Sequence, residues 1–312
     1  MRVLVYGMGN QGSLLAHTLV TGNNDVTVLA RGERAKQFRE KGIVIRHFIQ
    51  RKTTIDQVKI ITELEPHDVY DVIFVVMKYT DFKSVLPILA INETKNILLV
   101  GNNFNPAEME EYIKSNSTNE KNIAFGFQMS GGKKSKEQIT VLRTNAGEMV
   151  LGSHGEKIQF QTTLEDIFAK TKYKLSFQED IDAWFKNHII YVLPLNLAHF
   201  IKDYDYKSAG KDSALLKEVV KAMHEGFDLL VDLGYKNIPK GQADFVTKHE
   251  YLNFLFYKLY HHTPMVKQSE SSFIEIKAFY DELYKLKATS SFKTPNLDSL
   301  VKKAEEKYLL DK

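Results

Sequence analysis

The chain has 312 residues, 43% hydrophobic and 26% charged, enough to bury sizeable cores and, on length, to form about two domains. Its 42 basic and 39 acidic side chains leave a net charge of only +3, without the basic excess of a dedicated nucleic-acid binder. The absence of cysteine excludes a disulfide framework, a thiol nucleophile and any thiolate-held zinc or iron–sulfur centre.

The opening apolar run Val3–Tyr6 reads as a buried strand and leads straight into Gly7-Met8-Gly9-Asn10-Gln11-Gly12. A helix follows to about Gly22, then a second strand over Asp25–Leu29. Strand, glycine turn, helix, strand is the setting in which G-x-G-x-x-G binds a dinucleotide. Gly7 makes the tight turn, Gly9 lets the backbone approach a pyrophosphate, and Gly12 lets the helix pack closely on the sheet. The free N–H groups of the helix start, across Met8, Asn10 and Gln11, then face the phosphates. At the tip of the second strand, where an NAD site places an acid, stand Ala30 and Arg31, with Arg34 and Lys36 beyond. A guanidinium there can clamp a 2′-phosphate, so the expected cofactor is NADP; the plainer reading of these cations is a solvated helix start.

Further strands are expected over Asp71–Met77 and Asn96–Val100, each followed by a helix. Lys78 and Asn102 therefore fall beyond the carboxyl ends of parallel strands, where open α/β sheets bind ligands. Asn122–Phe127, Glu137–Arg143 and Glu148–Gly152 read as more strands, partly antiparallel because alternation with helices lapses. From about Ile181 the periodicity turns helical, over Ile181–Leu193, Leu215–Leu233, Ala243–Tyr260, Ser271–Lys287 and Asn296–Leu309. The expected architecture is α/β: a Rossmann-type dinucleotide-binding domain over 1–178 and an all-helical domain over 179–312. The N-terminus does not read as a signal peptide, and the most apolar internal stretch, Ile189–Phe200, is too short to span a bilayer. A cytoplasmic location without membrane partner is expected. His261-His262 and Asp203-Tyr204-Asp205 lack any ligand spacing, so no metal is expected.

The segments "VYGMGNQG", "LAR" at Arg31, "VVMK" at Lys78, "LLVGNN" at Asn102 and "AWFK" at Lys186 occur in the order found in ketopantoate reductases (2-dehydropantoate 2-reductases). The chain resembles that family over nearly its whole length, and with it the 6-phosphogluconate-dehydrogenase-like architecture. The resemblance implies NADPH-dependent reduction of a small keto acid, 2-dehydropantoate, in pantothenate biosynthesis by a monomer or homodimer. It also implies Lys186 as general acid, Glu275 in "SSFIEIKAFY" as substrate-orienting carboxylate, Asn102 between nicotinamide ribose and substrate, and Lys78 on the cofactor's phosphate side. Chemically the set is coherent, since a positioned ammonium stabilises the oxygen that gains charge and donates the proton. The plainer readings are a snorkelling lysine, a surface acid and turn-forming asparagines. Where the family has two substrate-binding asparagines, this chain has Ile190 and Pro194, or Ile189 and Leu193 one register away. Its serine is not cleanly placed among Ser269 and Ser271. These departures leave open a paralogue reducing another keto acid and a non-catalytic NADP(H)-binding sensor or scaffold.

Overall fold

The computed structural model describes residues 1–135, 138–268 and 272–311, in two units, Met1–Ile181 and Asp182–Lys312. In the first unit, strands covered on both faces become continuous apolar runs. β1 (Arg2–Tyr6) leads through the glycine turn to α1 (Asn10–Thr21), then β2 (Asp25–Leu29) and α2 (Gly32–Lys41). The chain next makes β3 (Ile43–His47), β4 (Lys52–Asp56) and β5 (Lys59–Ile61). β6 (Val72–Val76), α3 (Tyr79–Ile91), β7 (Asn96–Val100), α4 (Pro106–Ser115) and β8 (Asn122–Gln128) restore the alternation. β9 (Ser130–Lys134), β10 (Ile139–Arg143), β11 (Glu148–Gly152), α5 (Gln161–Phe168) and β12 (Lys174–Phe177) complete the unit.

The main sheet runs β12-β11-β8-β7-β6-β1-β2-β5, parallel from β5 to β8, with β11 antiparallel to β8. β1 lies between β2 and β6, so the chain first builds outward on one side and then crosses to the other. That reversal is the topological switch point of a doubly wound sheet. A second sheet, β4-β3-β10-β9, covers the outer side of α1, which is therefore apolar nearly all round and buries Leu14, Leu15, Ala16 and Leu19. Of the expected strand Glu137–Arg143, Ile139–Arg143 is β10 and Glu137 lies outside the described residues.

The second unit consists of helices. α6 (Ile181–Ile201) runs on through Pro194, past the expected end at Leu193. α7 (Tyr206–Lys211) and α8 (Ser213–Asp232) follow. The single helix expected over Ala243–Tyr260 is two, α9 (Lys240–Lys248) and α10 (Glu250–Tyr260), because His249 leaves helical geometry at φ −133°, ψ 46°. α11 (Phe273–Lys287) and α12 (Pro295–Leu310) end the unit. α8 is its axis, packed against α7, α9, α10 and α12. Glu225 of α8 accepts the backbone N–H groups of Asn296 at 2.9 Å and Leu297 at 3.0 Å, satisfying donors that the start of α12 leaves unpaired. Between α6 and α10 the buried rings of His199 and His261 meet Nε2 to Nε2 at 2.9 Å.

Candidate functional site

Within the first unit, four neighbouring parallel strands stop at one level. Tyr6 of β1 pairs in register with Leu29 of β2 and Val75 of β6, and Val76 pairs with Val100 of β7. Gly7, Arg31, Lys78 and Asn102 each follow one of these strand ends within two residues. They therefore share one edge, which at a strand spacing of about 4.8 Å extends roughly 14 Å from β2 to β7. That edge straddles the switch point.

Each glycine of the turn meets a different constraint. Gly7 has φ +106°, and a Cβ there would overlap the carbonyl oxygen of Val76. A Cβ on Gly12 would overlap the carbonyl oxygen of Gly7, so the first turn of α1 lies directly on the glycine turn. Gly9 has nothing within 4 Å of such an atom. It is the open position, where another molecule's atoms can come close to the backbone. Gly9 caps α1 without a side-chain acceptor, and no acid stands in the first turn, so the helix start presents free N–H groups. Met8 is buried. Gln11 points the other way: its amide donates to the Ser130 carbonyl and accepts from the Ser130 hydroxyl at 2.5 Å, tying α1 to β9.

Arg31 is exposed, and its guanidinium is fixed by the Tyr6 hydroxyl at 3.1 Å and the Thr62 carbonyl at 3.3 Å. One turn along α2, Arg34 stacks 5.0 Å from the Phe38 ring and donates to Gln37 at 3.0 Å. Burial lowers its pKa, and its Nη2 is buried without a hydrogen-bond partner among the described residues. Lys78 is exposed at the start of α3. Asn103 is committed to the fold, accepting from the Asn105 N–H at 3.0 Å, whereas Oδ1 of Asn102 and of Asn10 are buried without a partner among the described residues. Orphaned polar atoms along a strand edge with an open glycine fit an extended, hydrogen-bonding, phosphate-bearing ligand such as a dinucleotide. Among the described residues, no group of three or more His, Asp or Glu side chains stands where it could hold a metal ion. No described helix is long and apolar enough to cross a membrane.

In the second unit, Lys186 is buried on α6, ion-paired with Asp182 one turn earlier, with Nζ 4.9 Å from the centre of the Tyr235 ring. The lysine does not snorkel; its ammonium is gripped by a carboxylate and an aromatic face. Trp184 stacks on His188 at 5.1 Å and 7°, and burial pushes the His188 imidazole down to about 4. Asn187 is fully buried and holds the carbonyls of Ala183 at 2.8 Å and Lys236 at 2.9 Å. Glu275 is half-buried in the first turn of α11. Ser269 and Ser271 lie outside the described residues. Ile190 belongs to the helical core: a Cβ on Gly226 of α8 would lie 2.6 Å from its Cγ2. The sequence reading missed Arg34 as a site residue in its own right and Asp182 as the partner of Lys186. The four-residue spacing on one helix face was the available signal for Asp182.

Residues 3–156 match the family model described as Ketopantoate reductase PanE/ApbA. No curated protein matches the chain. Among solved structures, 2-dehydropantoate 2-reductase from Geobacter metallireducens GS-15 is 16% identical, with a TM-score of 0.75 over 98% of this chain and 99% of that one. A PanE/ApbA family ketopantoate reductase from Ralstonia eutropha JMP134 is 15% identical, with a TM-score of 0.73 over 98% and 99%. D-mandelate dehydrogenase, solved with NADH and anilino(oxo)acetate, is 18% identical, with a TM-score of 0.72 over 98% of each chain. At these identities the similarity is one of fold, extending over both units.

Proposed function

We propose, from the premise that the chain belongs to the ketopantoate reductase family of NAD(P)-dependent oxidoreductases through its N-terminal unit, that it reduces 2-dehydropantoate with NADPH. The single observation that carries this reading is the shared strand edge in the first unit, where the glycine turn, Arg31, Lys78 and Asn102 line up across the switch point. In this reading the first unit is the NADP-binding domain and the second the substrate and catalytic domain.

Bound NADPH supplies a hydride to the keto carbon. Met8, Gly9, Asn10 and Gln11 offer backbone N–H groups at the helix start to the pyrophosphate. Arg31, with Arg34 behind it, clamps the 2′-phosphate, and Lys78 holds the phosphate and adenosine side. Asn102 uses its unpartnered Oδ1 as acceptor for the ribose or substrate hydroxyl. Lys186 stabilises the oxygen that gains negative charge and passes it a proton from Nζ, while the ion pair with Asp182 holds the ammonium in place. Glu275 accepts a hydrogen bond from the substrate's hydroxyl.

A second reading rests on Ile190 and the buried Pro194, which stand where the resemblance expects amides. It is a paralogue reducing a more apolar 2-keto acid, and the fold shared with D-mandelate dehydrogenase is compatible with it. Steady-state rates with 2-dehydropantoate and aryl 2-keto acids, each with NADPH and NADH, separate the two. Saturable turnover of 2-dehydropantoate that prefers NADPH and is lost in Lys186→Ala supports the first. Turnover confined to the aryl acids supports the second. NADPH binding without turnover of any of them favours a sensor.

A further inference from the structure

β8 lies beside β7, and its last residue is Gln128. The two strands run parallel with Val100 paired to Gly126, so Asn102 and Gln128 each stand two residues beyond that pair. The edge that bears Arg31, Gly7, Lys78 and Asn102 therefore continues one strand further, to roughly 19 Å from β2. Ser130, two residues on, is hydrogen-bonded to Gln11 through both its carbonyl and its hydroxyl, which ties the chain leaving β8 to α1. Gln128 is 2% exposed, and neither its Oε1 nor its Nε2 has a hydrogen-bond partner among the described residues. Elsewhere in this unit the fold uses both ends of a buried amide. Asn92 donates to the carbonyls of Glu65 at 2.8 Å and Asp68 at 2.9 Å and accepts from the Thr94 N–H at 2.9 Å. A glutamine amide has two donors and two acceptor sites, and burying it with all of them unmet is costly unless a ligand meets them.

We propose that Gln128 holds the carboxamide of the cofactor's nicotinamide ring, its Oε1 accepting from the carboxamide N–H and its Nε2 donating to the carboxamide oxygen. The inference rests on the dinucleotide reading of this edge and adds to it the residue that orients the ring. With Arg31 and Arg34 at the β2 end and the open Gly9 at β1, the 2′-phosphate and pyrophosphate take that half of the edge. The β7–β8 half is left for the nicotinamide nucleoside. The ring's one polar substituent is a primary carboxamide, which presents a donor and an acceptor side by side, as Gln128 does. A substrate carboxylate would meet Nε2 and leave Oε1 unpaired, and a hydroxyl carries its donor and acceptor on one atom. Only an amide facing an amide satisfies both atoms at once. The glutamine's side-chain torsions let the amide turn toward the ring without moving the strand. Shielded from water, the two-point pair is stronger than it would be in solvent and fixes the ring's rotation about its glycosidic bond.

The test is isothermal titration calorimetry of the wild-type chain and of Gln128→Leu with three ligands. These are NADPH, 2′-phospho-ADP-ribose, which lacks the nicotinamide ring, and the reduced 3-acetylpyridine analogue of NADPH, whose acetyl group accepts but cannot donate. Gln128→Leu is expected to weaken NADPH about tenfold or more and to leave 2′-phospho-ADP-ribose unchanged. Wild type is expected to bind the acetylpyridine analogue about fivefold more weakly than NADPH, and Gln128→Leu to bind the two alike. The urea midpoint of the unliganded variant should equal or exceed that of wild type, because two unmet buried polar atoms are removed. A role in the fold would lower it. A lower midpoint, an unchanged NADPH affinity in the variant, or an equal loss for NADPH and 2′-phospho-ADP-ribose would each overturn the proposal and leave the dinucleotide reading in place. So would a wild type that binds NADPH and its acetylpyridine analogue equally well. A wild type that binds none of the three would overturn that reading and the proposal with it.

Discussion

Gly12 lies so close to Gly7 that a methyl group on its Cα would overlap the Gly7 carbonyl oxygen, whereas Gly9, between them, faces open space. The two positions therefore separate folding from binding. Gly12→Ala is expected to cost about 1–3 kcal/mol of stability in urea unfolding, because backbone must move to admit the methyl. Gly9→Ala is expected to leave the urea midpoint unchanged and to weaken NADPH binding, followed by nicotinamide fluorescence, at least about tenfold through the lost close approach. Wild-type NADPH affinity in Gly9→Ala would show that the turn does not cradle the dinucleotide.

Arg31 and Arg34 are expected to set the choice between phosphorylated and unphosphorylated cofactor. Removing either guanidinium deletes a charge-assisted clamp on the 2′-phosphate, so Arg31→Ala and Arg34→Ala should each raise KM for NADPH about tenfold or more. KM for NADH should barely change. Equal effects on both cofactors would locate these arginines in the fold and not at the phosphate.

At position 190 the resemblance expects an amide, yet the side chain packs within 2.6 Å of where a Gly226 Cβ would be. Ile190→Asn is therefore expected to destabilise the protein by about 2–4 kcal/mol, through lost apolar packing and an unpaired buried amide. It should not raise turnover of 2-dehydropantoate. A stable variant with higher kcat/KM would place residue 190 at the substrate.

Buried imidazoles, His188 among them, give stability a defined pH dependence. Burial, with positive neighbours His17, Arg143 and Lys52, pushes His47 from 6.5 down to about 4. Burial beside His261 pushes His199 from 6.5 to about 3. His261 donates from Nδ1 to the Tyr257 carbonyl at 2.6 Å, so its Nε2 accepts from Nε2–H of His199 when both rings are neutral. The unfolded chain takes up protons near 6.5 that the folded chain refuses. The stabilisation from the neutral rings is thus complete above 6.5 and falls progressively as pH drops toward 4 and 3. Urea midpoints from pH 7.5 to 4 should follow that slope, and His199→Gln should flatten it. An unchanged slope in the variant would mean that the pair does not resist protonation.

The first thirty residues announced their structure because every local signal agreed: an apolar strand, three glycines, a helix and a second strand. The stretch from Gly32 to Tyr70 was opaque. β3 alternates buried and half-buried residues over only five positions, and β4 is mostly polar and half-exposed. The apolar part of β3 is only three residues long, β4 has no apolar run, and β10, the strand on the other side of β3, lies some ninety residues downstream. The break between α9 and α10 was equally hidden, since His249 interrupts the helix by backbone geometry alone and no glycine or proline marks the point. Lys186 was readable as a lysine in an apolar helix, but the ring its ammonium faces, Tyr235, lies 49 residues further on.

Because β1 lies inside its sheet, it is flanked by two strands made at very different times. β2 is complete within thirty residues, but the opposite side of β1 waits for β6, whose last residue is Val76. Until that segment has left the ribosome, the nascent chain carries a strand with four apolar residues in a row and one unpaired backbone edge, an invitation to pair with a neighbouring chain. At 5–20 residues per second, the roughly fifty residues between β2 and β6 keep that edge open for about 2–10 seconds.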